Sequence, residues 1–272
     1  MKTRIVFAAV LTLLMSVADP ATAATKKNAL PDDPTQDKLL ITAGFLSGHP
    51  DLRFRLLALE KRDQGKLADA FKFFQRAAFY ADKPSQAMVA EMLWNGTGTE
   101  QDRVLAYAWM DLAAERGYEG FLELRERYWA QLDPAQRQAA IEAGQDIYAR
   151  FGDAAAQPRI DRSLRLERRN MTGSRTGAVG NLRIIVPGPA GPQEIDGSKF
   201  YDERFWDPKQ YRQWHDTVWM KPRVAKVSVG EVTQAPELDL NTRIPYVAPA
   251  VDAQEPDTEE AMPALGSDTP TR

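Results

Sequence analysis

The chain has 272 residues, with 35 Lys and Arg against 38 Asp and Glu, a formal charge of −3 and no cysteine. So even a balance argues against a polyanion such as nucleic acid as partner of the whole protein. The lack of cysteine excludes disulfide staples, a thiolate nucleophile and Cys-ligated metal, so the fold must hold by its apolar core.

The first element is a targeting signal. Met1-Lys2-Thr3-Arg4 is followed by an apolar run from Ile5 to Val17 and by Ala21-Thr22-Ala23, a small-x-small cleavage pattern, so residues 1–23 read as a signal peptide. The run is shorter than the roughly 20 apolar residues that span a bilayer, and with no cysteine after it lipid attachment is chemically impossible. The expectation is a periplasmic protein without a transmembrane segment, with secretion as the alternative. Losing Lys2, Arg4 and Asp19 with the leader leaves 33 basic and 37 acidic residues, or −4.

From Gln36 to Phe151 the apolar residues recur at helical spacing. The pattern predicts helices over about 36–47, 51–63, 67–82, 85–94, 102–116, 119–131 and 134–151, punctuated by Pro50, Pro84 and Pro134. Asp133-Pro134-Ala135-Gln136 is a helix start, since Asp caps, Pro suits the first turn and Gln reaches back. Ile141, Ile147, Tyr148 and Phe151 then form one stripe. Residues 153–177 read as an Arg-rich linker, a solvated strip or a docking strip for an anionic segment. Beyond it, Leu182, Ile184 and Val186 alternate, as do Ala225, Val227 and Val229; both runs read as strands of a small α+β unit over 178–232, with a short helix from Pro208 to Trp219. Residues 233–272 hold eight acidic residues against Arg243 and Arg272, with six prolines, and read as a disordered acidic tail.

A shift of 36 residues lays the chain on itself: Ala70 falls on Ala106, Phe73 on Trp109, Phe74 on Met110 and Ala77-Ala78 on Ala113-Ala114. A period of this size with two helices per unit marks a stacked helical array. Paired alanines let a neighbouring helix approach closely, and the aromatic four residues earlier fills the space one turn away. Gly96 and Gly98 fall just after a predicted helix, where left-handed backbone is commonly needed. A dinucleotide loop would need glycine at Gln101 and a preceding strand, and a Walker loop would need Gly-Lys-Ser/Thr; neither is present.

These residues resemble the Sel-one-like repeats, helical hairpins related to tetratricopeptide repeats. Gly96, Gly98, Asp102, Ala106, Trp109, Ala113, Ala114 and Gly117 match the pattern, with Ala90, Leu93 and Leu105 as departures. The units run over about 51–84 and 85–118, with a partial third from 119, inside a helical domain at 36–152 whose terminal helices serve as caps. The fold class that follows is mainly α: a short α-solenoid, then the small α+β unit and the tail. The resemblance implies a non-enzymatic scaffold or adaptor that binds another envelope protein, without a cofactor. It makes Trp94, Arg116, Tyr118 and Tyr128 the candidate contact residues.

Residues suited to catalysis are sparse. His49 lies in a predicted turn and reads as a solvated loop residue. His215 precedes Asp216, but neighbours in a helix do not face each other, and Ser174, Ser198 and Ser228 lie outside any Gly-x-Ser-x-Gly turn. Two histidines without cysteine make no transition-metal site unless several carboxylates join them. The aromatic run from Phe200 to Trp219 reads as core for the small unit. Its alternative is a stacking platform of Tyr201, Trp206, Tyr211 and Trp214 in a module that binds or hydrolyses cell-wall glycan.

Overall fold

The computed structural model describes residues 33–174, 176, 181–188, 191–220 and 239–257. The signal peptide expected at residues 1–23 and the strand expected through Ala225, Val227 and Val229 lie outside the described residues. The predicted helix at 36–47 is a short helix α1 (Lys38–Thr42) and a separate 3-10 turn, Phe45–Ser47. Six helices follow: α2 (Pro50–Asp63), α3 (Leu67–Phe79), α4 (Lys83–Asn95), α5 (Arg103–Ala113), α6 (Glu119–Gln131) and α7 (Pro134–Phe151).

Short side chains start these helices. Asp82 and Asp102 cap α4 and α5, accepting from the Ser85 amide at 3.1 Å and the Leu105 amide at 2.9 Å. At α7 the reciprocal box closes as the sequence predicts: Asp133 accepts from the Gln136 amide at 2.8 Å, and Gln136 accepts from the Asp133 amide at 3.0 Å. After α4 the chain turns through Gly96 and Gly98, with φ of +67° and +75°. A side chain on Gly98 would overlap the Leu67 carbonyl at the start of α3. The Gly-x-Gly pair is therefore a turn pressed against the preceding hairpin.

α2 packs on α3, α3 on α4, and α4 on α5, while α6 and α7 both lie against α5. Ala77, Ala78, Ala113 and Ala114 are buried, as are Phe73, Phe74, Trp109 and Met110, so the shifted pairs seal neighbouring helices as the spacing requires.

The Arg-rich stretch is not a linker. It folds as α8 (Asp153–Thr172), which buries Ala155, Ala156, Ile160 and Leu164. The next segment is a hairpin of β1 (Arg183–Val186) and β2 (Gln193–Asp196), antiparallel with Ile184 opposite Ile195. It leads into α9 (Gly197–Phe200), α10 (Glu203–Trp206) and α11 (Pro208–Trp219). These pieces do not form a unit with its own core. Val186, Ile195, Phe200, Phe205 and Trp206 pack with Leu40, Phe45, Leu46 and Leu52 from the start of the chain and with Ile160 and Leu164 of α8. Segments this short bury too little apolar surface to hold alone.

Nor is the whole acidic segment detached. Residues 239–257 carry no helix or strand, yet they lie against the helices, and Ile244 is buried in the main core with Tyr107, Ala140 and Ile147. Among the described residues, Glu255 pairs with Arg76 of α3 rather than with an arginine of α8.

Candidate interaction surface

The aromatic platform is dismantled by its own burial. Trp206 is 1% exposed, Tyr211 2% and Tyr201 3%, and Trp214 packs partly buried against the same cluster. Trp206 donates its indole N–H to the Phe200 carbonyl at 2.8 Å, and Tyr211 donates to Asp51 at 2.7 Å. Of the four, Trp206, Tyr211 and Tyr201 present no face to a sugar.

His49 is also a core residue, not a loop residue. It is fully buried between Phe45 and Trp206, with its ring nitrogens 2.8 Å from the Phe45 and Phe205 carbonyls. Burial, only partly offset by Asp51, lowers its pKa below that of free imidazole. His215 lies 3.4 Å from Asp51, not against its neighbour Asp216, which accepts from the Tyr118 hydroxyl at 2.6 Å. These groups fasten α11 to α2 and α6.

The predicted rim residues of the repeats mostly make internal contacts. Arg116 donates two bonds to Asp153, at 2.7 and 2.9 Å, tying the end of α5 to α8. Lys83, almost wholly buried, joins them with Glu115 at 2.6 Å and Asp153 at 3.2 Å. Burial alone would raise the Asp153 pKa, but Lys83 and Arg116 reverse that and hold it far below the carboxylate range. Tyr118 is buried, and Tyr128 stacks on the half-buried Trp94 at 3.9 Å. Arg103 lies 5.1 Å from the Trp94 ring centre.

The surface that grips an irregular stretch of chain lies elsewhere, across α5, α6 and α7. Arg125 and Glu126 of α6 are buried side by side, with Arg125 donating to Glu126 at 2.8 Å. Glu126 also receives Arg243 of the terminal segment in a two-pronged pair at 2.9 and 2.7 Å. The Arg243 guanidinium lies over the Trp129 ring at 4.8 Å and donates to the Tyr107 hydroxyl at 3.3 Å. Burial raises the Glu126 pKa less than Arg243 and Arg125 lower it, so this carboxylate stays ionised.

Beside it, Asp111 of α5 is buried and accepts from Tyr148 at 3.0 Å and from Thr242. Its desolvation outweighs these bonds and the nearby Arg125, so its pKa is raised. Arg125 donates to the backbone carbonyl of Asn241 at 3.1 Å and to that of Asp239. Ile244 sits over Gly144 in the middle of α7. Farther on, the Ala250 amide donates to the Ala149 carbonyl at 2.7 Å, one of the carbonyls left open at the end of α7. Arg150 donates to the Gln254 carbonyl, and Glu255 accepts from Arg76 at 2.6 Å and Tyr80 at 2.9 Å.

None of Asp111, Arg125, Glu126, Trp129 and Gly144 stood out in the sequence. Two signals were available: a charged pair on a helix that otherwise packs, and a glycine in the middle of a helix with no turn to explain it.

No curated protein and no solved structure matches the chain. Residues 59–78 and 83–118 match the family model of the Sel1 repeat, a general protein–protein interaction module. The matched stretches hold the two alanine pairs and the glycine turn, so over these residues the chain carries Sel1-like repeats.

Proposed function

We propose that this protein is an exported, non-enzymatic adaptor that holds another protein of the cell envelope. The observation that carries this reading is the grip on residues 239–257. Repeat helices α3 and α5, with α6 and α7 beside them, hold an irregular polypeptide segment through its side chains and through its backbone groups. The signal peptide at 1–23 supplies the compartment. The histidines and aromatic rings that could have served a chemical step are bound into packing.

The test is capture from an envelope extract by the full chain, beside a full chain carrying Glu126→Arg and Trp129→Ala. A protein retained by the first and lost by the second supports the adaptor reading. Mass spectrometry of the cellular protein should find a mature chain starting at Ala24 in the periplasmic fraction. Retention of glycan alone, or turnover of a substrate by pure protein, would overturn the reading.

A further inference from the structure

The surface on α5, α6 and α7 has more recognition chemistry than a merely structural tail contact requires. A chain end that only shields apolar area needs a hydrophobic anchor, and Ile244 on Gly144 provides one. Here a buried carboxylate backed by a buried arginine awaits a guanidinium, an aromatic face covers it, and Arg125 and Arg150 reach for backbone carbonyls. Donors aimed at backbone carbonyls recognise polypeptide without demanding a particular side chain. Glu126 and Gly144 then demand particular ones: a guanidinium followed directly by a branched aliphatic side chain. Contacts of this kind, with main-chain bonds supplying affinity and spaced pockets supplying choice, are how folded surfaces read peptides.

We propose that this surface is a peptide receptor for a segment of a partner protein that carries Arg followed by Ile or Val, and that residues 239–257 are its built-in competitor. The idea rests on the adaptor reading and adds to it the partner's chemistry and a means of control. Because the competitor belongs to the same chain, it acts at a high effective concentration and masks the surface from weak ligands. A partner gains entry by displacing it, and whatever draws the segment away opens the surface. The apparent affinity for a partner is reduced by the fraction of molecules whose surface is open.

A labelled synthetic peptide of residues 239–250 serves as probe, with binding followed by fluorescence anisotropy. It should bind the full chain carrying Arg243→Glu and Ile244→Asp, whose own segment is released, about tenfold or more tighter than it binds the unaltered chain. Adding Glu126→Arg to the released chain should remove that gain, as should Arg-to-Glu exchange within the probe. A released chain that keeps its helical circular dichroism yet binds the probe no better than the unaltered chain overturns the proposal.

A protease site placed within 221–238 of the full chain gives a second measurement that changes none of the contact residues named above. After cleavage, the freed segment should exchange with excess probe on gel filtration. A cleaved protein that takes up no probe overturns the proposal as well. Equal capture of an envelope protein by the unaltered and released chains would leave the adaptor standing and remove the competitor. Capture by neither would remove the adaptor while the peptide titration still stood on its own.

Discussion

Gly144, midway along α7, lies directly beneath Ile244, and a methyl group on it would overlap the isoleucine side chain. In a free helix, Gly→Ala gains about 1 kcal/mol. Here the gain should be overturned, because the added carbon lifts Ile244 from the core, and overpacking costs about 1–3 kcal/mol. Gly144→Ala is therefore expected to destabilise the protein in urea denaturation and to expose the Ala250 amide to hydrogen exchange. In an Ile244→Ala background the same change should stabilise it, and a sign that does not invert would refute the contact.

The Arg243–Glu126 pair should show strong coupling. Both groups are largely shielded, and the pair is two-pronged, so a double-mutant cycle with alanine at each should give about 1–2 kcal/mol. Glu126→Ala should be the more damaging single change, because it also strips the carboxylate from the buried Arg125. Equilibrium unfolding of the four proteins measures this.

At the junction of α4, α5 and α8, Lys83→Met is expected to cost about 3 kcal/mol, since it leaves Glu115 and Asp153 without their buried ammonium partner. The same network fixes a pH dependence. The folded Asp153 has a depressed pKa, so its contribution is complete above the unfolded value of about 3.9 and fades as pH falls below it toward the folded value. Asp153→Asn should flatten the loss of stability in that acid window and leave the slope above pH ~5 unchanged, as measured by thermal melts across pH.

Trp206 and Tyr246 make opposing cases of exposed and buried rings. Trp206→Ala should cost about 3–5 kcal/mol, because the ring fills the space between Phe45, Phe200 and Tyr201. Tyr246, 81% exposed, should tolerate alanine within about 0.5 kcal/mol. A Trp206→Ala protein with unchanged melting temperature and a lost ligand would return the ring to a binding role.

The turn after α4 is expected to reject any side chain at its second glycine. Gly98→Ala must hold left-handed backbone at φ of +75° and also push Leu67 away. The two penalties should together cost about 2 kcal/mol, read as a lower denaturation midpoint, whereas Gly65→Ala, with nothing near it, should suffer only the backbone part.

Much of the helical framework was legible in the chain because its signals are local. Apolar spacing, the Asp133–Gln136 box and the prolines act within one or two turns, and α2, α6 and α7 begin and end within a residue of where they were predicted. The repeat was legible for the same reason: Ala77-Ala78 and Ala113-Ala114 belong to hairpins that pack on their sequence neighbours.

What stayed hidden depends on contacts between distant positions. His49 read as a loop residue because nothing local announces Phe205, 156 positions away, as its hydrogen-bond partner. The aromatic run from Phe200 was rich enough in rings for either a core or a platform, and only its packing on Phe45 and α8 decided for core. Residues 239–257, polar and proline-rich, have no periodic pattern by which to predict order; it comes from Glu126, Arg125 and Gly144 on helices more than ninety positions earlier. The sequence by itself determined where helices α2 to α7 lie and that the repeat hairpins stack on their neighbours, because short-range sterics and capping dictate both, whereas α8 and the split of the first helix did not show. Only the tertiary structure decided which surface is occupied and by what, because an irregular segment takes its conformation from the surface that satisfies its backbone.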